Sequence, residues 1–225
     1  MKRIFIPTSG PDDWKQFLAE PDKQCKRGYS ARALAHCWEE AQDIPQDVRI
    51  VLSKAPEITE IEALICIPEH QVPLPGGARP SQNDVWVLGK TPHGLISIAV
   101  EGKVSESFGP TIGEWFKEPS PGKERRLSYL CEQLEVGFPP DSQLRYQLFH
   151  RTASAIIEAK RFNAPDAAMV VHAFSPSDEW FDDYAAFLKM WGLSAGIGEV
   201  ATKGLANGVR LHLAWVHGSE RWLQA

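Results

Sequence analysis

Between Asp84 and Lys103 two apolar runs rich in β-branched residues flank Thr91-Pro92-His93-Gly94. Pro92 presets φ for the second position of a type I turn, and Gly94 suits the last. The spacing therefore predicts a hairpin centred between Pro92 and His93, with Thr91 facing Gly94. Counting outward along an unbulged ladder brings Asp84 opposite Glu101.

Elsewhere the pattern predicts helices and buried strands. Leu34, Cys37, Trp38 and Ala41 recur at helical spacing over Ala31–Gln42, behind Ser30 as N-cap. Val48, Val51 and Leu52 mark a helical turn in Asp47–Lys54, and Leu127, Leu130, Cys131 and Leu134 a stripe in Lys123–Gly137. The longest helical signal, Gln143–Phe162, carries Leu144, Leu148, Ala155, Ile156 and Ala159 on one face and Gln147, Arg151, Ser154 and Glu158 on the other. Ile58–Pro68 and Ala167–Phe174 are apolar runs too short for helices and read as buried strands. Pro and Gly mark Glu69–Gln82 as a loop, and glycines make 192–208 a loop or turn. A short apolar start, Ile4-Phe5-Ile6, precedes a helix over Asp12–Leu18 capped by Asp12 or Ser9. A helix over Ser177–Trp191, opened by Ser177-Asp178-Glu179, and a strand over Val209–Val216 close the chain. The core order is α-β-β-β-α-β over about residues 30–175, with 177–217 as an extension, in a single domain spanning 1–225.

Composition narrows the class. With 43% hydrophobic residues the chain can bury a full core, which excludes disorder. No apolar run approaches the roughly 20 residues that span a bilayer, and MKRIFIPTSGPDDW has too short an apolar segment for a signal peptide. We expect a cytoplasmic protein with no membrane partner. Cys25, Cys37, Cys66 and Cys131 share no CxxC spacing, which argues for reduced core thiols over structural zinc or disulfides. His172 reads as a core histidine, and His212 and His217 as strand and turn residues lacking a third ligand at suitable spacing. A net charge of −5 gives no general attraction to a polyanion. It leaves room for a local basic groove at one phosphate, and Lys123, Arg125 and Arg126 form either such a contact or a solvated helix end.

The hairpin supplies the candidate chemistry. Directly opposed residues share a side of the sheet, with Cβ atoms about 5 Å apart, so Asp84 and Glu101 repel unless one holds its proton or a cation lies between them. Magnesium takes oxygen ligands at about 2.0–2.1 Å and keeps several waters, so two carboxylates suffice as the protein's share. Lys103, two residues after Glu101, returns to the same face.

Asp84, then Glu101-Gly102-Lys103 at the end of the next strand, resembles the bipartite signature of the PD-(D/E)xK nuclease superfamily, with Asn83 where the family name has Pro. The resemblance implies an α/β fold of restriction-endonuclease-like type: an αβββαβ core with a central mixed sheet flanked by helices, plus N- and C-terminal additions. It implies that Asp84 and Glu101 bind Mg2+, or Mn2+ in its place, and that Lys103 orients or activates the attacking water. Hydrolysis of a nucleic-acid partner, DNA in the first instance, would leave a 5′-phosphate. In that family the first core helix often lends a carboxylate, here Glu39, whose plain alternative is a solvated glutamate on an exposed face. The second core helix often lends a polar side chain, here Gln147, His150 or Arg151, although the Gln-x-x-x-Tyr pair of recombination-related branches is missing. Structural roles for these three, such as an ion pair to Glu158, compete. Arg79 is a candidate phosphate contact or an ordinary surface residue. A homodimer stays open, as does a catalytically inactive binding or scaffold protein on the same fold.

Overall fold

The computed structural model describes Ile4 and residues 8–225. It contains strands β1 (Glu62–Val72), β2 (Ser81–Thr91), β3 (Gly94–Lys103), β4 (Asp166–Ala173), β5 (Val200–Gly204) and β6 (Arg210–His217) in one mixed sheet of order β1-β2-β3-β4-β6-β5. The helices are α1 (Pro21–Gln24), α2 (Ser30–Ala41), α3 (Gln46–Leu52), α4 (Ile112–Trp115), α5 (Pro121–Leu134), α6 (Tyr146–Arg161) and α7 (Phe181–Lys189). The α-β-β-β-α-β order is present as α2, β1, β2, β3, α6 and β4. The β2–β3 hairpin has the expected register, Thr91 facing Gly94 and Val85 facing Val100. β4 runs parallel to β3 and β6, while β1 and β5 are antiparallel edges.

Strand alternation divides the core into two layers. Ala167, Met169, Val171 and Ala173 of β4 join the apolar faces of α5, α6 and α7. Ala168 and Val170, with Phe174 just beyond the strand, join α2 and α3. With both faces covered, β4 is buried along its whole length, as its unbroken apolar run requires.

Several boundaries differ from the expectation. The loop read at 69–82 is confined to residues 73–80, because the β1–β2 ladder continues through His70–Asn83, Gln71–Gln82 and Val72–Ser81. Pro68 sits inside β1 without breaking it, as an edge strand permits. Strand β5, inside the stretch read as a loop or turn, is short and partly exposed, so no apolar alternation announces it. Ser30 is the first residue of α2 and not its cap; its amide and hydroxyl donate to Glu106 Oε1 at 2.9 and 3.0 Å. α7 starts only at Phe181, since the Asp178 carboxylate accepts instead from Trp215 Nε1 at 2.9 Å. The helix expected at 12–18 is a 3-10 helix over Pro11–Phe17 without a side-chain cap. Of the apolar start, Ile4 bridges Cys66 in parallel, and Phe5 and Ile6 lie outside the described residues.

Arg126 belongs to neither alternative read for the basic cluster. It is buried, and its guanidinium donates to the carbonyls of Pro75 (2.9 Å), Gly77 (3.0 Å) and Leu74 (3.3 Å). The β1–β2 loop is thereby pinned to α5, where Gly76, at φ 81°, lies so close to Gly122 that a Cβ would meet its carbonyl oxygen at 2.0 Å. Among the described residues no helix is long and apolar enough to cross a membrane.

Candidate active site

The ladder between β2 and β3 ends at Val85–Val100, one residue short of Asp84 and Glu101. Beyond it the Gly102 amide donates to Asp84 Oδ2 at 2.8 Å, so a side chain takes over where the backbone pairing stops. Glu101 and Lys103 share a face, as alternation requires, with Lys103 Nζ 2.6 Å from Glu101 Oε1. Both are buried, and the Lys103 ammonium also lies 4.8 Å from the centre of the Phe108 ring.

Helix α6 supplies the opposite wall. Its polar stripe faces the sheet and not solvent: Arg151, Ser154 and Glu158 are all buried. Gln147 Nε2 donates to Glu101 Oε1 at 2.8 Å, while its Oε1 accepts from Lys103 at 3.2 Å. Arg151 donates through Nε to Glu101 Oε2 at 2.5 Å and lies 3.6 Å from Asp84 Oδ1, so its partners are the site carboxylates and not Glu158. Glu158 pairs instead with Arg161 at 3.0 Å. His150 stands behind the site, its Nδ1 2.8 Å from Ser81 Oγ, and does not line the cavity. Burial, helped by the Arg151 charge, pushes the His150 imidazole well below its usual pKa, so it is neutral.

A third carboxylate joins the pair. Pro68–Val85 and His70–Asn83 pair on either side of it, so Glu69 comes opposite Asp84, in the left-handed backbone region at φ 52°. Its Oε2 accepts from Gln82 Nε2 at 2.8 Å. Glu69, Asp84, Glu101, Lys103, Gln147 and Arg151 all line one cavity of about 510 Å3, which Lys23 and Tyr29 also reach. Sequence reasoning missed Glu69 because Pro and Gly downstream made its whole stretch read as loop. The ladder runs on to Val72 and Ser81, adding Glu69–Val72 before the Pro/Gly block and Ser81–Gln82 after it to the expected strands.

The electrostatics of the three acids conflict. Burial and then the Glu101 charge push Asp84 up to about 7. Burial and then the Asp84 charge push Glu69 up to about 8. Although burial opposes it, the Arg151 and Lys103 charges hold Glu101 down at about 2. Two of three acids thus favour the neutral form, which is the condition a divalent cation would relieve. The hard oxygen set suits Mg2+ or Mn2+. The three carboxylates are not drawn within 4.8 Å of one another, so they fit a hydrated ion held by few protein ligands better than a closed cage.

Not every residue singled out in the sequence arrives here. Glu39 is buried, neither exposed nor at the cavity; it accepts from Trp14 Nε1 at 3.0 Å and Thr8 Oγ1 at 2.8 Å. The third carboxylate at the cavity is Glu69, from β1. Arg79 is exposed in the 73–80 loop and does not line the cavity. His212 bridges Asp166 (3.0 Å) and Thr202 (3.0 Å), and His217 meets Asp178 at 3.1 Å.

No curated protein and no solved structure matches the chain. One family model does match, over residues 7–220, that of a domain of unknown function (DUF6946), and the chain belongs to that family.

Proposed function

We propose that this protein is a metal-dependent phosphodiesterase of PD-(D/E)xK type acting on nucleic acid, DNA in the first instance, with Mg2+ as cofactor and Mn2+ as a substitute. The observation that carries the reading is the arrangement at the frayed end of β2 and β3. There Asp84, Glu101 and Glu69 meet one cavity beside a buried lysine 2.6 Å from Glu101. A divalent ion held by Asp84 and Glu101, with Glu69 beside them, would neutralise charge on the scissile phosphate and lower the pKa of a bound water.

The protein's own groups divide the remaining work. Gln147 bonds both Glu101 and Lys103 and so fixes the lysine in one rotamer. From there Lys103 Nζ can hold the attacking water by hydrogen bond and donate to a phosphate oxygen as negative charge builds on it. Arg151, ion-paired to Glu101 and close to Asp84, keeps the acids apart when no phosphate is present and offers its fork to a phosphate when one is. Lys23 and Tyr29 at the cavity mouth bring a cation for the backbone and a ring for a base. All four cysteines are free, which agrees with a cytoplasmic setting.

One observation favours the alternative, a nuclease-fold binding protein without turnover. Both Glu101 oxygens are already engaged, by Lys103 and Gln147 on one and Arg151 on the other. The two readings separate when the protein is incubated with supercoiled plasmid and with single- and double-stranded oligonucleotides in Mg2+, Mn2+ or EDTA, beside Lys103→Ala. Metal-dependent cleavage lost in the variant supports the enzyme. Tight binding in EDTA without cleavage in any metal supports the alternative.

A further inference from the structure

We propose that Cys37, Asp47 and His172 form a zinc site, separate from the carboxylate cavity and on the opposite face of the sheet. The residues come from three elements: the middle of α2, the first turn of α3 and the end of β4. One ligand atom of each lies within 4.8 Å of the other two, and His172 Nε2 is 3.1 Å from Asp47 Oδ2. A tetrahedral ion with Zn–N and Zn–O near 2.0–2.1 Å and Zn–S near 2.3 Å needs ligand atoms about 3.3–3.7 Å apart. The Asp47–His172 separation falls just short of that range, and the two to Cys37 are within 4.8 Å. Among the described residues no other three His, Cys, Asp or Glu side chains come so close together.

The donor set chooses the metal. One sulfur, one imidazole nitrogen and one carboxylate oxygen suit Zn2+ and suit Mg2+ poorly. Three protein ligands also leave a fourth position open. Cys37 and His172 are buried, whereas the Asp47 carboxylate is 28% exposed and, with Cys37, lines a cavity of about 490 Å3 through which an ion and a water or small anionic ligand can enter.

The other Asp–His pair is built differently. His212 has both ring nitrogens bonded, one to Asp166 and the other to Thr202. At His172 the nitrogen facing Asp47 is Nε2, the one an ion in the cluster would take, and among the described residues no cysteine completes such a set with the His212 pair. The backbone is shaped to the ring as well: a Cβ on Gly218 would meet His172 Nε2 at 2.8 Å. Spacing along the chain hides the set, because its members are far apart in sequence and share no local motif.

The test uses the full chain stripped with EDTA and titrated with Zn2+ against a chromophoric chelator. Metal content is then measured, and Co2+ is substituted to read sulfur-to-metal charge transfer. One equivalent of zinc should bind, the Co2+ form should show the thiolate band, and Cys37→Ser should lose the band and weaken zinc binding by at least about 100-fold. Glu101→Gln should leave both unchanged. Cys37→Ser is nearly isosteric, and the Co2+ spectrum is taken on the unaltered chain, so a folding failure of His172→Ala would not decide the matter. Absence of bound zinc, absence of the thiolate band, or zinc binding that survives Cys37→Ser but is lost in Glu101→Gln overturns the proposal. The last result would put the ion in the carboxylate cavity.

Discussion

The two ends of the sheet each bury carboxylates and treat them in opposite ways. Asp166, where β4 begins, is fully buried and paired on all sides: Arg210 binds it in bidentate fashion at 2.8 and 2.8 Å, and His212 at 3.0 Å. Although burial opposes it, the hydrogen bonds from His212 and Arg210 lower the Asp166 pKa. At the frayed end of β2 and β3 the buried cations Lys103 and Arg151 face Glu69, Asp84 and Glu101, two of which are pushed up, while Glu106 at the same cavity is held by Ser30 and the Val104 amide. A buried acid that the fold has satisfied serves the fold. Acids left in conflict at a cavity cost stability, and they make sense where a ligand arrives to resolve the conflict.

The largest expected effect is on turnover. Lys103→Ala should lower metal-dependent cleavage per folded molecule by about 100- to 10,000-fold; it also removes a buried partner of Glu101 and so lowers stability. Removing Asp166 should lower stability alone. Asp166→Ala strands Arg210 and His212 and should cost about 3–5 kcal/mol in urea unfolding, while the rate per folded molecule stays within a few-fold. A comparable loss of turnover per folded molecule in Asp166→Ala would break the contrast. A smaller effect, about 1.5–3 kcal/mol, is expected for Arg126→Met, which frees three loop carbonyls from a charged donor. Since Arg126 does not line the cavity, hydrogen exchange should rise in residues 73–80 while cleavage is retained.

The satisfied end and the conflicted end were not equally legible in the sequence. Asp84, Glu101 and Lys103 could be brought together because one turn and period-two alternation fix a hairpin's register locally. Gln147 and Arg151 were legible as a polar stripe, but whether that stripe met water or the sheet depends on where α6 lies across β3, which no local spacing encodes. Glu69 needed the length of β1, and Pro68 and the Pro/Gly block after Val72 concealed it. Glu39 failed for a related reason: helical spacing gives a side chain's face, not the neighbour waiting there, and Trp14 was that neighbour. Asp166 precedes Arg210 and His212, which share β6, by 44 and 46 residues, so nothing near Asp166 announces its partners.

The smallest effect sharpens the comparison most, because the two ends should respond to pH with opposite sign. In the metal-free fold Glu69 and Asp84 keep their protons to about 8 and about 7, whereas in the unfolded chain they lose them near 4. Between those values the folded state binds more protons, so their contribution is fully present below about pH 4 and is lost as pH rises through 7 and 8. Asp166, with its pKa lowered, contributes stability that is present above about pH 4 and is lost as pH falls through its folded value. Glu69→Gln removes one conflicted acid. Measured by urea unfolding in EDTA, the variant should match the parent at pH 4 and exceed it by on the order of 2 kcal/mol at pH 9, a figure below the full shift because the acids are coupled and Glu69 is partly exposed. Added Mg2+ should narrow that gap at pH 9, since the ion stabilises the parent's ionised site more than the variant's. Parallel stability curves, with no divergence toward high pH, would mean that Glu69 is satisfied as fully as Asp166 and that the frayed end holds no stored conflict for a metal to relieve.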